Sequence, residues 1–258
     1  VPALTRAAGA PRARIGLVQG CVQRAVFPDV NAATARVLAA DGFDVVAPPQ
    51  GCCGALSVHA GRLEEGRRFA RALVDALGDL DLVVVNSSGC GSHLKELGWL
   101  LGDGRSAAFA AKVRDVGELL ADAAPQAPRH PLPTTVALQD PCHLRHAQAL
   151  PLAFAPSLAR IPGLEVVEPA EQELCCGSAG IYNVVQAEAA RELGARKAAN
   201  VLATGAHVYA SANPGCLVQV SQALRRTGRP LPALHPIELL DASIRGVPVG
   251  RLRATARR

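Results

Sequence analysis

Apolar residues fall along the chain in two alternating patterns. Short continuous runs occupy residues 14–18, 43–46 and 82–85, and again 135–138, 164–167 and 207–210. Runs this short, without polar alternation, are what strands need when helices cover both faces of their sheet. Between them, longer stretches place apolar residues at helical spacing: 28–40, opened by Pro28 and followed by Gly42; 61–77, with Phe69, Leu73, Ala76 and Leu77 on one face; 187–202; and 217–224. The order in each half is β-α-β-α-β, and such crossovers make a sheet parallel. The pattern predicts an α/β protein of two duplicated units, 1–124 and 134–258, joined by the Pro-rich linker 125–133. A duplicated dimer would leave the two related by a pseudo-twofold axis.

The cysteines repeat with the strands. Cys21, Cys52-Cys53-Gly54 and Cys90 are followed by Cys142, Cys175-Cys176-Gly177 and Cys216; equivalent cysteines lie 121 (Cys21 to Cys142), 123 (Cys52 to Cys175) and 126 (Cys90 to Cys216) residues apart. That register marks an internal duplication. Each cysteine position comes just after a strand, and the carboxyl ends of parallel strands share one edge, where open α/β sheets bind their ligands. Four thiols spread over some 70 residues of each half are therefore predicted to converge.

Thiolates select zinc, Cu(I) or iron–sulfur clusters, and four suit a [4Fe–4S] cluster or a four-cysteine zinc site. Two adjacent cysteines can face one group only where the backbone turns sharply, which Gly54 and Gly177 permit. Gly20, Gly89 and Gly215 let backbone amides approach sulfur. An isolated cysteine is most often a small buried hydrophobe; eight in a duplicated register are not explained that way. Vicinal disulfides at Cys52-Cys53 and Cys175-Cys176 would leave the other four cysteines without a role. His146, four residues beyond Cys142 on a helix beginning at Pro141, is a candidate cofactor neighbour, with His143 beside it. His93 follows Cys90 by three residues, where the second half has Gln219. The extra histidines and the small residues of 175–180 point to the second half as the cluster carrier.

Composition narrows the setting. The 258 residues carry a formal charge of +5, partly from arginines near both ends, but only 3% are aromatic, too few to stack on bases, so no nucleic-acid partner is expected. No stretch approaches the roughly 20 apolar residues of a membrane span, which leaves at most peripheral membrane contact. No segment reads as a signal peptide, and clustered thiols belong in a reducing compartment, so the expected location is cytoplasmic, with peripheral attachment at the inner face of the membrane as its furthest extent. The absence of any Met suggests a piece of a longer protein. There is no nucleotide-binding G-x-G-x-x-G loop after a strand and no paired catalytic carboxylates, so the chain is not expected to be catalytic alone.

The doubled pattern of Cys, CCG and Gly-Cys resembles the cysteine-rich (CCG) domain family, which includes the cysteine-rich subunit of heterodisulfide reductase and the iron–sulfur subunits of lactate and glycolate oxidases. Val30-Asn31-Ala32-Ala33-Thr34-Ala35-Arg36-Val37-Leu38, Gly51-Cys52-Cys53-Gly54-Ala55, Ser88-Gly89-Cys90-Gly91, His146-Ala147-Gln148 and Leu174-Cys175-Cys176-Gly177-Ser178-Ala179-Gly180 are similar to the glycolate oxidase iron–sulfur subunits. The resemblance implies an electron-transfer subunit that relays electrons from flavin-containing dehydrogenase subunits oxidising glycolate, or another 2-hydroxy acid, toward a quinone. It further implies a ferredoxin-like iron–sulfur domain with C-x2-C-x2-C-x3-C runs, and this sequence contains no such run. The heterodisulfide reductase relative has a further Cys where His93 and Gln219 stand here, so four cysteines per half fit better than a five-cysteine cluster. The alternatives are a zinc-stabilised docking scaffold, with zinc in one half, and a thiol–disulfide reductase of the heterodisulfide type.

Overall fold

A computed structural model describes residues 1–252. The chain divides into two compact units, residues 1–127 and 128–258. The Pro-rich stretch is held at each end by its own unit. The amides of Gln126 and Ala127 donate to Asp41, while His130 exchanges hydrogen bonds with Ser243 through its amide and its carbonyl.

In the first unit the strands are β1 (Leu4–Thr5), β2 (Arg14–Val18), β3 (Asp44–Val46), β4 (Leu82–Val85) and β5 (Val113–Asp115), in the order β1-β3-β2-β4-β5. All neighbours pair in parallel except β1, which runs antiparallel along β3. The second unit has β6 (Thr134–Gln139), β7 (Leu164–Val167), β8 (Val208–Ser211) and β9 (Ala233–Leu234) in the order β7-β6-β8-β9, all parallel. Leaving β1 aside, the four parallel strands of each sheet thus have one topology, as a duplicated sequence requires. The predicted strands form in place, and the predicted helices appear as Pro28–Ala40, Leu63–Leu77, Ala187–Ala203 and Pro214–Arg226.

Each half also carries a fourth strand and a helix beyond the three-strand pattern. Helix Val116–Asp122 follows β5 and helix Pro236–Ile244 follows β9, each opened by a capping box, Asp115 with Glu118 and His235 with Glu238. These strands are only three and two residues long, too short for a periodic pattern to show. The matching capping boxes, 120 residues apart (Asp115 to His235), were the available signal.

The central strands are buried, with Ile15, Leu17, Val83, Val84 and Val85 at 0% exposure, so β2 and β4 need no polar face. The second helix after each CCG turn, Leu63–Leu77 or Ala187–Ala203, packs on that turn with almost no intervening space. Gly54 has φ +92° and Gly177 φ +89°; a Cβ added there would lie 2.5 Å from the Gly66 carbonyl oxygen and 2.7 Å from that of Ala190. Two independent constraints therefore demand glycine, a left-handed backbone and a backbone against it. Gly54→Ala and Gly177→Ala should each lower stability in denaturant titration by about 2 kcal/mol or more. Gly61→Ala, at φ +77° with nothing within 4 Å, should cost only the strain of its φ, about 1 kcal/mol.

Candidate metal centre

Three segments bring the first set of cysteines together. Cys21 opens helix Cys21–Val26 beyond β2, Cys52 and Cys53 lie in the turn after β3, and Cys90 sits in helix Ser88–Lys95 after β4. The Cys21 and Cys52 sulfurs are 3.3 Å apart, and the Cys53 thiol donates to the Cys90 sulfur at 3.3 Å. Cys52 also accepts a hydrogen bond from Cys53, so the four are linked in one set.

The second set repeats this. Cys142 follows β6, Cys175 and Cys176 follow β7, and Cys216 lies in the helix after β8. The Cys176 thiol donates to Cys216 at 3.2 Å, Cys142 donates to Cys175, and Cys176 donates to Cys175. All eight cysteines are free thiols, and no vicinal disulfide joins either pair. The amides of Gly54 and Gly177 point at the Cys52 and Cys175 sulfurs from 3.4 and 3.3 Å.

Raised and lowered thiols alternate in chain order within each set. Hydrogen bonds from the Cys21 and Cys53 thiols pull Cys52 down to about 2, and those from Cys142 and Cys176 do the same to Cys175. Cys90 and Cys216 are lowered by the thiols of Cys53 and Cys176. Giving up a hydrogen bond and losing solvent raise Cys21, Cys53, Cys142 and Cys176. Protons kept on the raised thiols relieve part of the like-charge repulsion that four thiolates would suffer. A bound metal would replace those protons.

Several polar residues that hold each set were not singled out from the sequence. The Gln50 side chain accepts from the Gln19 amide and donates to the Leu17 carbonyl, clamping the turn before Cys52 to the end of β2. Gln172 makes the same pair with the Asp140 amide and the Leu138 carbonyl. Ser87 and Asn213, at the helix N-caps ahead of Cys90 and Cys216, donate to those sulfurs, Asn213 from 3.6 Å. The signal was their common place in the duplicated register, Gln50 with Gln172 and Ser87 with Asn213.

The histidines divide differently from expectation. His143 Nδ1 lies 3.7 Å from the Cys142 sulfur, whereas His146 turns its Nε2 to the Glu173 carbonyl oxygen at 3.3 Å. The segment beyond Pro141 is a single π-helical turn, His143–Ala147, rather than an extended α-helix. In the first half the ring of His93 faces the Cys53 carbonyl at 3.1 Å; its counterpart Gln219 donates to the Ala190 carbonyl.

The donor chemistry, four convergent sulfurs with backbone and side-chain donors around them, fits a thiolate-bound metal group in each half. Among the described residues, no group of three or more His, Cys, Asp or Glu side chains is disposed to hold a metal ion as it stands. A tetrahedral zinc would hold all four sulfurs about 3.8 Å from one another, as its bond length of about 2.3 Å requires. Here the closest sulfur contacts are shorter, 3.2–3.3 Å.

Comparison with known proteins agrees with the duplication. The cysteine-rich domain family, CCG, matches residues 15–95 and 136–221, one copy in each half. The chain is 37% identical over 250 residues to the Bacillus subtilis (strain 168) protein named "Probable glycolate oxidase iron-sulfur subunit", covering 90% of this chain and 55% of that one. It is 34% identical over 245 residues to the glycolate oxidase iron-sulfur subunit of Escherichia coli (strain K12), covering 90% and 58%. Lactate utilization protein A of Exiguobacterium sp. (strain ATCC BAA-1283 / AT1b) is 25% identical over 240 residues, covering 90% and 98%. The chain therefore spans little more than half the length of the two glycolate oxidase relatives. With all eight cysteines inside the two matched segments, this chain belongs to the cysteine-rich domain (CCG) family.

Proposed function

We propose that this chain is an iron–sulfur electron-transfer part of a flavin-linked 2-hydroxy-acid dehydrogenase. Glycolate is the acid favoured by the identity to glycolate oxidase iron-sulfur subunits. The observation that carries the reading is the pair of four-sulfur sets, each at the carboxyl edge of a parallel sheet with sulfurs 3.2–3.3 Å apart. In this reading Cys21, Cys52, Cys53 and Cys90 form one ligand set and Cys142, Cys175, Cys176 and Cys216 the other. A cluster held by either set, of [4Fe–4S] type, supplies one-electron transfer.

The residues around each set have distinct tasks. Gly54 and Gly177 make the turn that aims two neighbouring cysteines inward, and their amides stabilise negative charge on Cys52 and Cys175. Ser87 and Asn213 do the same for Cys90 and Cys216. Gln50 and Gln172 fix the turns without themselves reaching sulfur. Cys53, Cys176 and Cys216 are buried and the remaining five are partly exposed, so each set has sulfur shielded from water and sulfur within reach of a partner. Partners would be a flavin subunit delivering electrons, a ferredoxin-like iron–sulfur domain and a quinone-linked acceptor. No helix among the described residues is long and apolar enough to cross a membrane. We place the protein in the cytoplasm, where its thiols stay reduced.

Anaerobically purified protein should be brown, with broad visible absorption and about four irons and four sulfides for each loaded set. A colourless protein with stoichiometric zinc would overturn the cluster reading in favour of a docking scaffold. We assign the firmer site to the second half. Cys176→Ser should then remove most of the iron and the paramagnetic signal of the reduced protein, while Cys53→Ser should spare much of it. Equal losses would assign clusters to both halves, and no loss from Cys176→Ser would exclude the second set.

A further inference from the structure

Lys197 is a fully buried lysine, at 0% exposure, in helix Ala187–Ala203. A lysine is almost never buried this completely unless an opposite charge accompanies it. Its ammonium donates to the backbone carbonyl of Glu171, and no carboxylate forms an ion pair with it among the described residues. The Glu171 side chain is engaged elsewhere, by Arg196 and Asn200. The Glu171 carbonyl itself belongs to the turn that leads into Cys175, since it also accepts the Leu174 amide.

The charges that act on it are those of the second cysteine set and of nearby glutamates. Desolvation drives the Lys197 ammonium pKa down, and the charges of Cys176, Glu173 and Cys216 act against that. The first half has nothing comparable. Gly54 packs on Gly66 as Gly177 packs on Ala190, an offset of 124 residues that sets Leu73 at the position of Lys197. Leu73 is 1% exposed and belongs to the same apolar cluster as Cys53, with Cys52 and Cys90 packed against it. One set therefore rests on a leucine and the other on a cation.

We propose that Lys197 is a positioning charge for the second cysteine set, stabilising negative charge there so that an electron entering the protein comes to rest at the second site rather than the first. The inference depends on the cluster reading above. One electron, supplied by a reduced flavin or in the test by dithionite, makes the loaded site more negative by one unit. Lys197 keeps its proton throughout and no bond is made or broken. A fixed cation close by, in a medium of low dielectric, favours that reduced state.

The test compares the parent protein with Lys197→Met, Lys197→Gln and Lys197→Arg in the full chain. Each is reconstituted anaerobically with iron and sulfide and titrated potentiometrically, and the second-site signal is identified as the one lost in Cys176→Ser. In the Met and Gln variants the ratio of reduced to oxidised second site at a fixed potential should fall at least tenfold, a midpoint about 59 mV lower for a one-electron couple. Lys197→Arg should restore most of it, and the first-site signal should not move. Thermal unfolding checks that the variants are folded, and Gln, which retains a donor for the Glu171 carbonyl, serves if Met is not. An unchanged midpoint in a folded neutral variant overturns the proposal. Parent protein that takes up no iron overturns the cluster reading instead, and iron content separates the two failures.

Discussion

The contact between a left-handed glycine and the backbone of the second helix after it sets everything else in each half. Gly54 on Gly66 and Gly177 on Ala190 leave no room for a Cβ, so the turn and the helix have one way to meet. With that meeting fixed, two consecutive cysteines emerge on the inner side of the turn. Their sulfurs then reach Cys90 and Cys216 on helices that follow β4 and β8, on the far side of the central strands β2 and β6. A parallel sheet supplies the rest, since it delivers all three cysteine-bearing segments to one edge.

Crowding four sulfurs sets an electrostatic problem that the protein answers in the same way twice. Protons held on the raised thiols lower the charge, and donors from Gly54, Gly177, Ser87 and Asn213 stabilise what remains. Such a site is anionic and soft, and suited to replacing its protons with metal. The glutamines Gln50 and Gln172 contribute rigidity. Each holds a turn to an adjacent strand end through a donor and an acceptor together, so the cysteines are placed by backbone hydrogen bonding and not by loop packing alone.

Duplication makes the differences between halves informative. The sheet order, glycine turns, glutamine clamps and capping boxes recur, whereas the first half alone has β1 and the buried contacts of Asn86 with Asn31 and Thr34. The second half alone has a buried cation, Lys197 against Leu73. Since the shared features place sulfur and the unshared ones alter its surroundings, the two sets are equivalent in geometry and unequal in charge.

The sequence by itself determined the element order, the duplication and the convergence of cysteines, because apolar runs at strand length and the spacing of Cys, CCG and Cys are local patterns. It also determined the need for glycine at 54 and 177, since adjacent inward-facing cysteines require a sharp turn. Only the tertiary structure decided which polar side chains serve the site. Gln50 reaches Leu17 across 33 residues and Gln172 reaches Leu138 across 34, distances at which no periodicity reports contact. Folding likewise separated His143, which meets sulfur, from His146, whose ring is taken by the Glu173 carbonyl. Lys197 was the least legible residue. Along the chain it is one more charge on a mixed helix, and its burial beneath the second set follows from the packing of that helix on the Gly177 turn.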